Sequence, residues 1–133
     1  MVELPAAADR RPDQDAYDES IALPIGDLVT RLREILGVRL VAYIGGVQST
    51  QVVSSWAERD EAPEPTVEVR LRQAYHAAAL LIDRNEAITV QSWFKGMNPS
   101  LADQSPARVL RDGRPDQDGK NVIAAARSFA YVG

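Results

Sequence analysis

From Ile25 onward the apolar residues of this chain recur at spacings of three and four, and no stretch alternates as a half-buried strand must. That pattern commits the chain to helices. Ile25, Leu28, Val29, Leu32, Ile35 and Leu36 form one stripe, which predicts a helix from about Asp27 to Leu36 stopped by Gly37. A short helix follows from Val38 to Ile44, ahead of Gly45-Gly46, and a third from about Ser49 to Arg59. An acidic loop bearing Pro63 and Pro65 closes this unit. The longest helix starts at Thr66, which suits an N-cap, and carries Val67, Leu71, Ala74, Ala78 and Leu81 on one face until near Asn85. A fifth helix holds Ile88, Val90, Trp93 and Phe94, and Gly96-Met97-Asn98-Pro99 interrupts it. Ser105-Pro106 opens another short helix, closed at Gly113. The last helix, about Gly119 to Ala130, lines up Val122, Ile123, Ala126, Phe129 and Ala130. The expected fold is therefore all-α. A helix-turn-helix-like unit (residues 23–64) packs on the long central helix, followed by a C-terminal helical domain (65–133).

Charge divides the chain unevenly. The net charge is −4, and residues 1–20 alone hold six acids against two arginines. The remainder is neutral. Small, acidic and proline-bearing, residues 1–22 read as a flexible acidic arm. The string Arg-Pro-Asp-Gln-Asp occurs at 11–15 and again at 114–118, both times in expected loops. A neutral body speaks against strong non-specific nucleic-acid binding but leaves room for a local patch. With no cysteine, disulfide and thiolate chemistry are excluded and a cytoplasmic home is expected. The longest apolar run, Ala77 to Ile82, is too short to span a bilayer, and the acidic N-terminus is unlike a signal peptide.

Catalytic chemistry has little to draw on. His76 is the single histidine and sits mid-helix beside Tyr75 and several alanines. No set of ligands has metal-site spacing, and Gly45-Gly46 lacks the lysine and further glycines of a phosphate loop. The expectation is a binding protein with no catalytic residue, metal or cofactor.

The segment around Gly46 has the outline of a helix-turn-helix. Ala42 would be the small residue at the helix crossing, Gly46 would take the turn, and Val47, Val52 and Trp56 would pack inward. Ser49, Thr50, Gln51, Ser54, Ser55 and Arg59 would then face outward, where hydroxyls, an amide and a guanidinium can reach phosphates or base edges. The tryptophan falls one residue later than the commonest spacing, and Asp60, Glu61 and Glu64 dilute the charge of Arg59.

The C-terminal segment carries a more specific pattern. Trp93 is followed by a short linker, Asn98-Pro99, Ser100 and Leu101. Pro106 then opens a helix with Val109 and Leu110, before Gly113 and a final helix. This arrangement resembles the toxin-binding domain of Xre/MbcA/ParS antitoxins, and the resemblance runs from about Asp27 to Gly133. Physically, Trp93 and Phe94 are large anchors, Asn98-Pro99 fixes a turn, and Leu101 drops into the core.

The resemblance implies an antitoxin that neutralises a RES-type, NAD-consuming toxin by occluding its active site, with operator DNA as a second partner and a homodimer as the working form. On that reading Lys95, Asn98 and Arg108 lie at an exposed corner that meets the toxin. Arg127, Phe129, Tyr131 and Gly133 belong to a C-terminal plug, with Tyr131-Val132-Gly133 projecting beyond the last helix. The acidic arm and the loop at 114–118 depart from a typical member. Two other classes fit the same residues: a stand-alone helix-turn-helix transcription regulator of phage or mobile-element type, and a protein–protein adaptor on the same fold.

Overall fold

The helix between Pro65 and Ile82 organises the others. A computed structural model of the chain describes residues 12–132. Among these the helices are α1 (Pro12–Ala22), α2 (Ile25–Leu36), α3 (Val38–Gly45), α4 (Thr50–Glu58), α5 (Pro65–Ile82), α6 (Ala87–Lys95), α7 (Pro106–Asp112) and α8 (Lys120–Val132). A 3-10 turn at Pro99–Leu101 and a π turn at Pro115–Gly119 complete the helical segments, and the described residues form no strand. The all-α class expected from the periodicity is what the chain adopts. No helix among the described residues is long and apolar enough to cross a membrane.

On α5, Leu71, Ala74, Ala77, Ala78 and Leu81 are fully buried. The alanines let neighbouring helices approach closely, and each buried leucine contributes about 1.5–3 kcal/mol. Helices α1, α2, α3, α6, α7 and α8 all pack against this one rod. Its start corrects the expected cap. Pro65 opens the helix and Thr66 is exposed, because proline has a helical φ and no N–H to leave unpaired. Its end is tied by Asn85, whose Nδ2 donates to the Leu81 carbonyl at 2.9 Å.

The α2 stripe buries Leu28, Val29, Leu32 and Leu36 as expected. In α3, Val41, Ala42 and Ile44 face inward, and Gly46 ends the helix at φ 73°, a left-handed conformation that favours glycine. Ser49 caps α4, its Oγ accepting the Gln51 N–H at 3.1 Å. Here one inward assignment fails. Val53, not Val52, packs with Trp56, while Val52 is 37% exposed. Val53 and Val52 lie three and four residues before Trp56, so spacing to the tryptophan admits either, and the phase of α4 against the core turns Val53 inward.

The expected arm is, from Pro12, a helix docked on α5; residues 1–11 of that assignment lie outside the described residues. α1 buries only Ala16 and Ser20, so apolar area does little to hold it. Polar bonds do: Arg72 of α5 donates to the Ser20 and Leu23 carbonyls at 3.0 and 2.9 Å, and the Tyr75 hydroxyl donates to Glu19 at 2.6 Å.

Both copies of Arg-Pro-Asp-Gln-Asp also depart from the loop assignment. Pro12 is the first residue of α1 and Pro115 the first of the π turn, each with aspartates in its first turn. Proline at the opening position and acids near the positive end of the peptide dipoles make the string a helix start. In the second copy, Asp118 accepts the Arg114 N–H at 2.7 Å. Gln73 of α5 donates to the Pro115 carbonyl at 2.8 Å, leaving its Oε1 buried and unpaired. Gly119 lies so close to the Gln73 carboxamide that a Cβ there would overlap it.

Gly119→Ala should therefore cost about 1–3 kcal/mol, since Gln73 must give up the Pro115 carbonyl. Denaturant unfolding of G119A, Q73A and the double variant checks this. The double variant is expected to be more stable than the two single losses summed, because removing Gln73 removes the clash.

Candidate functional site

The C-terminal corner is built by short-range bonds. Gly96 ends α6 by donating to the Ser92 carbonyl at 2.9 Å. Asn98 then does three things at once. Its Oδ1 accepts the Ser100 N–H at 2.9 Å, its carbonyl takes the Leu101 and Asp103 N–H groups, and its own N–H donates to Gln104. Ala102 and Asp103 both adopt positive φ to complete the reversal, and Ser105 caps α7 by accepting the Arg108 N–H at 3.2 Å. Leu101 is buried beneath the corner. Asn98 was placed among exposed partner-binding residues, but it is half-buried with its side chain spent on the turn.

Above this corner α6 and α8 present an aromatic face. Phe94 is fully buried and anchors Trp93, whose ring meets it edge-on at 5.1 Å between centroids. Phe129 of α8 leans on the half-buried Trp93 at 6.5 Å. Although grouped with the inward stripe by spacing, Phe129 is 41% exposed, and Tyr131 is 42% exposed. Arg84 lies over the Tyr131 ring, 5.4 Å from its centroid. Ile88 and Met97, at the two ends of the α6 segment, are 63% and 81% exposed. The expected projecting tail is shorter than supposed, since α8 stays helical through Val132. Gly133 lies outside the described residues.

Arg127 is exposed, but its guanidinium is not free as that of a plug residue would be. Its Nε donates to Asp13 Oδ2 of α1, while Asp13 Oδ1 lies 2.9 Å from His76 Nε2 on α5. One carboxylate thus joins three helices. Arg127, through that hydrogen bond, holds the Asp13 carboxyl below the usual range against the opposing effect of partial burial, with His76 adding to the lowering. Reciprocally, the bond to Asp13 raises Arg127. Nearby, burial pushes the Tyr75 phenol up, and its bond to Glu19 pushes the same way. The other two basic candidates are exposed: Lys95 ends α6, and Arg108 on α7 lies 3.7 Å from Asp112.

The α3–α4 candidates largely come together. Ser49, Gln51, Ser54, Ser55 and Arg59 share one shallow surface depression with Val52 and Glu58. Thr50 is exposed beside it but does not line it. Two hydroxyls are already used locally, Ser49 as the cap and Ser55 donating to the Gln51 carbonyl at 3.1 Å. Glu58 pairs with Arg33 at 3.2 Å, so Arg59 supplies the one cation of this depression.

Comparison with protein-family models, with curated proteins and with solved structures found no match.

Sequence reasoning missed Asp13 and Glu19, which it assigned to a flexible arm, and Arg84 and Ile88, which it left without a surface role. Proline at position 12 with acids behind it was a usable sign of a helix start. Nothing in the local sequence foretold that Asp13 would reach Arg127.

The Asp13 bridge sets a pH dependence. A carboxylate whose folded pKa is depressed contributes stability above its unfolded value of about 3.9, and that contribution is lost as pH falls through the lower, folded value. Asp13→Asn is therefore expected to lie below the parent in stability at neutral pH. The two curves should converge as the solution is acidified below about pH 4. Thermal unfolding across a pH series checks it; curves that stay parallel would show that the bridge contributes nothing.

Proposed function

We propose that this chain is an antitoxin, not itself an enzyme, which neutralises a RES-type, NAD-consuming toxin by laying the α6–α8 face across the toxin's active-site cleft. The observation that carries this reading is the exposed aromatic pair Phe129 and Tyr131, backed by Trp93 and Arg84. Aromatic and arginine side chains grouped on rigid helices are the usual anchors of a protein interface, with little rotamer entropy to lose on binding. The Trp93, Asn98-Pro99, Leu101 and Pro106 pattern that resembles Xre/MbcA/ParS antitoxins lies next to this face. Inhibition is steric, through exclusion of the dinucleotide from the cleft. Lys95 and Arg108 are available at the rim, whereas Asn98 and Arg127 act in this proposal by holding the corner and α8 in place.

Phe129→Ser with Tyr131→Ser should leave the helical content and cooperative unfolding in place and weaken toxin binding by at least about 2 kcal/mol, the scale of an interface anchor. The assay is NAD consumption by the toxin that co-purifies with the tagged chain from its own host. Undiminished neutralisation by the double variant, or by a chain lacking residues 128–133, would remove the occlusion mechanism.

Autoregulatory DNA binding is the second component of the proposal. It is supported by the gathering of Ser49, Gln51, Ser54, Ser55 and Arg59 on one accessible helix face. One cation beside Glu58 supplies little phosphate attraction, so binding would rest on base-edge contacts and a second copy. Gln51→Ala with Arg59→Ala should lower affinity for the operator upstream of its own coding sequence by about tenfold or more, measured by fluorescence anisotropy at fixed salt. Equal affinity for operator and scrambled duplex would instead favour a protein-only role.

A further inference from the structure

Beside the α6–α7 corner, α2 and α3 flank an open trough of about 620 Å³. Its floor is apolar, made by Leu36, Val38, Leu40, Tyr43 and Ala107. Its lining includes none of Trp93, Phe129 and Tyr131 and nothing from α8 among the described residues, so it adjoins the aromatic face proposed above and shares with it only Lys95 at the rim.

Charge singles this trough out. Several cations among the described residues are engaged: Arg33 by Glu58, Arg72 by Glu68 and Arg127 by Asp13. Arg39 and Lys95, which flank the trough, have no carboxylate partner among the described residues, and both are exposed. A third cation, Arg111, lies over the Tyr43 ring at 4.6 Å but also 3.8 Å from Asp112, so the unpaired charge of the rim is that of Arg39 and Lys95. No acidic side chain lines the trough. A chain with net charge −4 thus keeps an uncompensated positive rim around one apolar floor. The comparable groove between α1, α5 and α8 differs, because Arg72 and Arg127 there already meet carboxylates and only Lys120 lacks one among the described residues.

We infer that this trough docks an acidic segment of a partner protein, with one or two large apolar side chains on the floor and carboxylates against Arg39 and Lys95. Nucleic acid fits less well. Phosphate backbones gain little from an aliphatic floor, and two free cations release few counterions. An apolar floor within a charged rim is the arrangement of a groove that takes a peptide by anchor side chains and orients it by charge. The attraction depends on exposed charges and so weakens with salt.

A random dodecapeptide phage library panned on the full chain tests this. Selected sequences should combine Asp or Glu with Leu, Ile, Phe or Trp, and a synthetic selected peptide should shift the amide resonances of Val38, Leu40 and Ala107. Arg39→Glu with Lys95→Glu, both at exposed positions, should weaken that peptide about tenfold or more while leaving the melting temperature unchanged. Leu40→Ser should weaken it without altering the salt dependence. Selection of basic or charge-free peptides, no enrichment at all, or affinity indifferent to the double charge reversal would each overturn the inference. So would a 20-base-pair duplex that perturbs the same resonances while selected peptides do not.

Discussion

The close approach of helices to the alanine face of α5 is the constraint that the rest of the structure depends on. Ala74, Ala77 and Ala78 are fully buried, and a larger side chain at any of them would push a neighbouring helix away from the rod. Leu71 and Leu81 fill the space at either end of that face. Because α6 and α8 are both positioned against α5, the separation of Trp93 from Phe129 is inherited from this packing and not set by loops. The aromatic face is therefore presented on a rigid base. The α3–α4 turn is positioned from the other side, by α2 and by the contact of α3 with α5.

Polar bonds supply what apolar burial leaves undone at the edges. α1 has a weak apolar side, yet Asp13 and Glu19 on it are held by Tyr75, His76 and Arg127, and Arg72 takes the Ser20 and Leu23 carbonyls at its end. Such bonds are directional, so they specify where the helix lies even where they add little net stability. The second Arg-Pro-Asp-Gln-Asp copy is treated in a similar way, since Gln73 holds its carbonyl and Gly119 fits against the same carboxamide. Gln73 and His76 are three residues apart on α5, so the two copies dock on neighbouring positions of one helix. Identical strings thus open different helical turns, an α-helix at Pro12 and a π turn at Pro115, and meet different partners.

Legibility followed the kind of force involved. Where apolar spacing decides, as in α2, α5 and the inner side of α8, the residues announced the elements within a few positions. Val52 was misassigned because an apolar pair at adjacent positions leaves the inward member to be chosen by the phase of the helix, which the Ser49 cap and Trp56 fix together. Phe129 was misassigned for the opposite reason: its spacing fits the inward stripe, but the core is already closed by Ala126 and Ala130. The candidate site was half visible. The aromatic and Asn-Pro elements stand out in the sequence, whereas the occupation of Arg127 by Asp13 joins residues 114 apart and leaves no local trace.

That separation has a consequence for the order in which the molecule comes together. α1 leaves the ribosome before α5 and α8, and its partners His76 and Arg127 on those helices lie 63 and 114 residues beyond Asp13. Closing so long a loop costs entropy that a formed α5 offsets through Arg72, Tyr75 and His76. A helix made before α5 therefore docks only after α5 has formed, and the Asp13 bridge closes once Arg127 of α8 has been synthesised.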